Sequence, residues 1–234
     1  MEDPNEIDSV ASYVKYVLEM SNGRGELIYR GLPNREYKLI PSIGRHVKWR
    51  NDDPVPKEVI LDRERHVLEY FRNTSVPFRN HREVSELDVM VLAQHHGIPT
   101  RLLDWTLNPL IALYFAARGA DGKFDGIVYM SETPTPLMAI PGAHLNPRKI
   151  GQDVYFSPQH IDQRIAAQSS IFTLHADPTV ALESETMEHI WFKGSCKEKL
   201  LAELDVLGVH GESIFPGLGG ISDRIRGKYF GMFN

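Results

Sequence analysis

Apolar residues at Ile7, Val10, Val14, Val17 and Leu18 recur at helical spacing after Asp3-Pro4, and Asn22-Gly23 suits a stop, which predicts a helix over 4–22. A short strand, Leu27–Gly31, follows. Leu39–Gly44 is expected to be extended or looped, since Pro41 opposes a helix. A second helix opens at Asp53-Pro54-Val55-Pro56 and runs to about Phe71. A third begins at Ser85, where Asp88 completes a capping-box-like arrangement, and stops at Gly97. Pro99 then separates that helix from a strand, Thr100–Trp105. Asn108-Pro109 reads as an N-cap followed by proline in the first turn, opening a helix that runs to Arg118. Gly126–Ser131, Ser169–His175 and Glu188–Lys193 read as further strands, and Ser157-Pro158 as a helix start. Ser195 with Glu198 caps a helix carrying Leu200, Leu201, Leu204 and Leu207 that closes at Gly208. A terminal helix begins near Gly220. Between Glu132 and Asn146, Pro134, Pro136 and Pro141 interrupt any periodicity, and the segment reads as a loop able to cover a site.

Helices and strands mix without a βαβ rhythm, so the expected class is α+β: one domain over 1–234, with a core from about 25 onward. The composition, 42% hydrophobic and 24% charged over 234 residues, supplies enough apolar material for that core. A net charge of −5 provides no global field for nucleic acid. The longest uncharged apolar run, Pro109 to Ala117, is about half a membrane span, so no membrane partner is expected. The lone cysteine, Cys196, allows no internal disulfide and points to a cytoplasmic setting.

Three places carry candidate chemistry. Arg30 ends a strand and precedes Gly31; its planar fork of donors suits phosphate or carboxylate, and the glycine would let a ligand near the backbone. The commoner role of such an arginine is simple exposure beside a turn. The run from Gln94 to Trp105 gathers His95, His96, Arg101 and Asp104 around Gly97 and Pro99. Alternation along a strand puts Thr100, Leu102 and Asp104 on one face and Arg101, Leu103 and Trp105 on the other. This run could form a cleft or a structural Arg–Asp brace. Adjacent histidines seldom aim at one ion, so no metal is expected. Arg164 and Gln168 share a helical face, and Gln168, at a helix–strand junction, could hold a ribose hydroxyl or merely cap the helix. No P-loop, Rossmann fingerprint or nucleophile elbow is present.

Together Tyr29-Arg30-Gly31, Gln94-His95-His96-Gly97, Pro99 to Thr106, Asn108-Pro109, Ala112 to Ala116, Arg164, Gln168, Phe172-Thr173 and Ser213-Ile214-Phe215-Pro216 resemble the FRG domain family. Ser170 departs from it, since the family often has glycine two residues after the glutamine. The resemblance implies a more distant likeness to the ADP-ribosyltransferase fold, with a central split β-sheet flanked by helices. It further implies NAD as substrate, no metal, and a toxin or phage-defence role with an antitoxin partner and an RNA or protein acceptor. In those terms Arg30, Asp104 and Gln168 are the expected catalytic residues. Arg30, Gly31, His96, Thr100 and Arg101 are the expected contacts to NAD. The third strand start of such transferases usually carries glutamate, and here stand Gln168 and Ser170. Two rival readings are a non-catalytic FRG binding module and an RNA-binding or nuclease toxin. The latter would use basic residues between Arg30 and Arg82, namely Arg35, Lys38, Arg45, Lys48, Arg50, Arg63, Arg65, Arg72 and Arg79.

Overall fold

A computed structural model describes residues 5–46, 55–78, 84–119, 122–133, 145–159, 162–184 and 186–231. Among them the strands are β1 (Leu27–Leu32), β2 (Leu102–Thr106), β3 (Gly126–Glu132), β4 (Val154–Phe156), β5 (Ser170–Leu174) and β6 (Glu188–Phe192). The helices are α1 (Val10–Ser21), α2 (Ser42–His46), α3 (Lys57–Thr74), α4 (Glu86–His95), α5 (Pro109–Ala117), α6 (Gln163–Ala167), α7 (Lys197–Val206), α8 (Gly211–Ile214) and α9 (Leu218–Phe230). The strands form one antiparallel sheet in the order β4-β5-β2-β1-β3-β6. The expectation of mixed helix and sheet holds.

Pairing is uneven across this sheet. β1 and β3 match over six residue pairs, from Leu27↔Glu132 to Leu32↔Ile127, and β2 and β5 over five. Between β1 and β2, at the centre, only Tyr29↔Thr106 pairs. The sheet is continuous, yet β4-β5-β2 and β1-β3-β6 splay apart on one side of that single link.

The cores follow the same division. Val10, Tyr13 and Val17 of α1, the buried face of α5, and Leu200, Leu201 and Leu204 of α7 pack on Leu27, Tyr29, Val128, Ile190 and Phe192. Leu68 of α3, Leu87 to Ala93 of α4 and Ile165 of α6 pack on Leu102, Phe156, Phe172 and Leu174. On the opposite face a third core spans both halves, with Ile28, Leu32, Leu103, Trp105, Ile127, Ile171 and Trp191 beneath Leu39 and Leu182.

Several expected boundaries move. α1 begins at Val10, capped by Ser9, because the preceding residues run beside β6 instead: Ile7 N donates to the Trp191 carbonyl and Trp191 N to that of Asn5, both at 2.9 Å. Leu39–Gly44 is not all extended; Ser42 opens the short α2. No helix starts at Ser157: β4 precedes it, and α6 waits for Asp162, whose side chain accepts from Arg164 N at 2.8 Å. Ser195 and Glu198 form no cap for α7, which begins after Cys196 without a side-chain cap. Pro134, Pro136 and Pro141, and the start of the second expected helix at Asp53-Pro54, lie outside the described residues.

Candidate functional site

Where β1 and β2 part, a cleft of about 420 Å³ opens, and Arg30, Asp104 and Gln168 all line it. Its walls include Tyr29, Tyr37, Trp105 and Phe115, with Arg45 and Arg118 adding guanidinium groups. Side chains of both parities on β1 and β2 face it, as befits a cleft along an unpaired strand edge.

Arg30 fills part of the gap. Its Nη1 donates to the backbone carbonyl of Asp104 and lies 2.9 Å from Asp104 Oδ1. A carbonyl that would otherwise face a missing ladder partner is thereby satisfied by a side chain. The Arg30 side chain is only 11% exposed, and its Nε is buried without a hydrogen-bond partner. Asp104, by contrast, keeps about half of its side chain open, at 52% exposure. The cleft walls push its carboxyl pKa upward, but the Arg30 charge and hydrogen bond outweigh them and hold it below the ordinary aspartate value. It is therefore a carboxylate at neutral pH. Behind it runs a relay of amide and hydroxyl: Gln94 Nε2 donates to Asp104 Oδ1 at 3.1 Å, and Thr100 Oγ1 donates to Gln94 Oε1.

Gln168 stands opposite, at the C-terminal end of α6. Its Nε2 donates to the Ile214 carbonyl at 3.3 Å, and its backbone carbonyl accepts from Thr106 Oγ1 at 2.7 Å. Ser169 follows with φ +47°, a left-handed conformation that non-glycine residues seldom adopt. This kink leads directly into β5. Phe215 backs two of the lining residues, with its ring 5.9 Å from that of Phe115 and the Arg118 guanidinium 4.6 Å above it. Arg118 also reaches Asp223 at 3.3 Å.

Of the other expected contacts, Thr100, Arg101 and His96 are not in the cleft lining, and Gly31 is. Thr100 is fully buried behind β2, holding Gln94, Leu102 N and Ser42. Arg101 does not brace Asp104. Its Nε pairs with Glu64 of α3 at 2.8 Å, and its backbone N donates to the same carboxylate at 2.7 Å. Positions three apart on a strand face opposite ways, so Arg101 and Asp104 have different partners. His96 is exposed at the end of α4, with its ring 6.4 Å from that of Phe71. Its neighbour His95 is turned inward beside Phe172, and burial pushes its pKa down. Gly31 lines the cleft, but its lack of a side chain serves another purpose. A Cβ there would sit 1.8 Å from the Ala112 carbonyl oxygen, so the glycine is what lets α5 lie on β1. Arg164 donates to the His95 carbonyl at 3.0 Å.

Sequence reasoning passed over Tyr37 and Arg118 as site residues, met Phe115 only inside a family-like segment, and met Arg45 only as one of a basic run. Aromatic and arginine residues outside a motif carry no spacing signal; only the fold gathers them. Among the described residues no cluster of three or more His, Cys, Asp or Glu could hold a metal, and no helix is long and apolar enough to cross a membrane.

The chain is thus an α+β protein built on one antiparallel sheet, with an arginine-lined cleft at its central seam. Residues 25–124 match the family model of the FRG domain, and this stretch of the chain is an FRG domain. No curated protein and no solved structure matches the chain. The match contains Arg30 and Asp104; Gln168 and Ser170 of the cleft lining come from beyond it.

Proposed function

We propose that the cleft binds NAD and transfers ADP-ribose to a macromolecular acceptor, RNA or protein, as a toxin or defence effector whose action an antitoxin partner would restrain. The observation that carries this reading is the convergence of Arg30, Asp104 and Gln168, distant in sequence, on one cleft that also offers aromatic walls. In such a transfer the bond between ribose C1′ and the nicotinamide nitrogen breaks, and its electron pair leaves with neutral nicotinamide. The ribose ring passes through an oxocarbenium-like state, which an ionised carboxylate stabilises. An acceptor oxygen or nitrogen then bonds to C1′ and gives up its proton to solvent or a nearby base. Asp104, held as a carboxylate and half open to the cleft, suits the charge-stabilising part. The Gln168 amide suits a ribose hydroxyl once it exchanges its bond to Ile214. Aromatic walls suit the flat rings at both ends of NAD.

A non-catalytic binding module is the second reading. It is favoured by the fact that Asp104 already serves Arg30 and Gln94, and Gln168 already serves Ile214. The nuclease reading draws less support: Arg65 faces Asp62, Arg35 lies over the Trp191 ring and near Asp125, and Lys48, Arg50 and Arg79 lie outside the described residues.

The test is incubation of the purified protein with labelled NAD and cell extract, followed by separate counting of the protein and nucleic-acid fractions. Asp104→Asn should keep the fold and lower labelling by about a hundredfold, the scale of one electrostatic stabiliser. Expression without a partner should arrest growth in the wild type and much less in that variant. If folded wild-type protein neither consumes NAD nor labels any fraction, the transferase reading fails and the binding module replaces it.

A further inference from the structure

Arg30 has a built-in partner; among the described residues Arg45 has none. Among the described residues no carboxylate lies within ion-pair distance of Arg45, although its backbone is firmly placed. Ser42 Oγ accepts from Thr100 N at 3.2 Å, and Ile43 N donates to the Thr100 carbonyl at the same distance. Gly44 packs so tightly that a Cβ there would sit 1.8 Å from the Pro178 carbonyl oxygen. The short α2 is therefore pinned on two sides while its last described side chain reaches into open space.

That space has two parts. Arg45 lines the main cleft and also a smaller recess of about 190 Å³, shared with Ser42, Gln94, Gly97 and both members of the Arg30–Asp104 pair. The recess is thus lined by two guanidinium groups and one carboxylate, and that carboxylate is paired with Arg30, leaving an excess positive charge where the two cavities join. Partial burial, and next the nearby Arg30 charge, pull the Arg45 pKa below its ordinary value, while Asp104 and Tyr37 pull it back. It remains a cation at any physiological pH. Arg45 is exposed, so its guanidinium is open to solvent and to a ligand where the two cavities join.

We infer that Arg45 is the anion-binding residue of the cleft and takes a ligand phosphate where cleft and recess meet, while Arg30 is a positioning residue that holds Asp104 and the seam. This rests on the reading of the cleft as a nucleotide site, and it moves the phosphate contact from the arginine of the family-like segment to one outside it. Phosphate suits the place because a guanidinium fork matches two of its oxygens, and Gln94 and Ser42 add polar neighbours.

Calorimetric titration of the full chain with ADP, adenosine and inorganic pyrophosphate tests it, with melting temperatures recorded for each variant. ADP should bind at least about tenfold more tightly than adenosine, as one lost charge-assisted contact implies. Arg45→Ala should remove that preference, leave adenosine binding as it was and melt within a few degrees of the wild type. Arg45→Gln provides a second variant that keeps bulk and loses charge, and it should behave alike. Pyrophosphate should compete with ADP in the wild type only. Equal ADP affinity in wild type and both variants would overturn the inference, as would equal wild-type affinity for ADP and adenosine. NAD labelling is scored apart. Arg45-dependent ADP binding without any labelling would sink the transferase reading and uphold the phosphate site, whereas labelling that survives in both variants at wild-type KM would do the reverse.

Discussion

One missing methyl group decides whether β1 and α5 can meet. Gly31 stands with no room for a Cβ against the Ala112 carbonyl, and the backbone there cannot step aside as a flexible side chain could. Gly31→Ala is therefore expected to cost about 3 kcal/mol, the upper range for overpacking, read as a lower midpoint in urea denaturation. Ser169→Gly, at φ +47°, should stay within about 1 kcal/mol of wild type, since relief of strain offsets added chain entropy. An unaltered midpoint for Gly31→Ala would show that α5 is loosely held. The sequence singles out Gly31, yet for ligand approach; which neighbour presses on a glycine is a tertiary fact. The same holds for Arg101 and Asp104, whose closeness in sequence suggests one brace. Their partners, Glu64 and Arg30, come from elements far away along the chain.

Local chemistry made several elements legible. Ser85 caps α4 reciprocally with Asp88, Asn108 caps α5 with Pro109 in its first turn, and Gly97 and Gly208 take the positive φ that ends a helix. Where tertiary pairing competes, as at Asn5–Ile7 beside β6, periodicity misleads. Periodicity did not locate the seam between β1 and β2, because strand pairing across distant segments leaves no mark on either one; a split sheet entered only as what the family resemblance implies. The seam's presence sets aside the commoner role of an arginine beside a turn, simple exposure, since the Arg30 side chain is only 11% exposed. Arg30→Ala strips both the Asp104 carboxylate and its backbone carbonyl of a donor; Asp104→Ala loses only the carboxylate. Arg30→Ala should therefore be the more destabilising, by about 1–3 kcal/mol for the orphaned carbonyl, in chemical denaturation. The two should also couple in a double-mutant cycle by about 0.5–3 kcal/mol. Equal losses without coupling would mean that the guanidinium does not hold the seam.

Across the whole molecule, the stretch matched to the FRG domain is not a closed sheet. It carries β1, β2 and α5, but β3 begins just after it and β5 and β6 much later. Cut to 25–124, the chain would keep one central residue pair, Tyr29↔Thr106, and lose the other ladders. Such a fragment is expected to lack a cooperative thermal transition by circular dichroism, while 1–234 shows one. A sharp transition in the fragment would contradict this account. The intact sheet has a property that neither half has alone. Each half carries its own helix-backed core, and the described links between them include one strand residue pair, the Arg30–Asp104 ion pair, the Gln168–Ile214 hydrogen bond and the shared opposite face. Slow amide exchange would then proceed through two separate openings, one exposing Val128–Met130 and one Leu103–Trp105, each short of global unfolding. A molecule that touches Arg30, Asp104 and Gln168 at once bridges both halves, so its arrival would merge the two openings into one, and the cleft would act as the clasp of the sheet it divides.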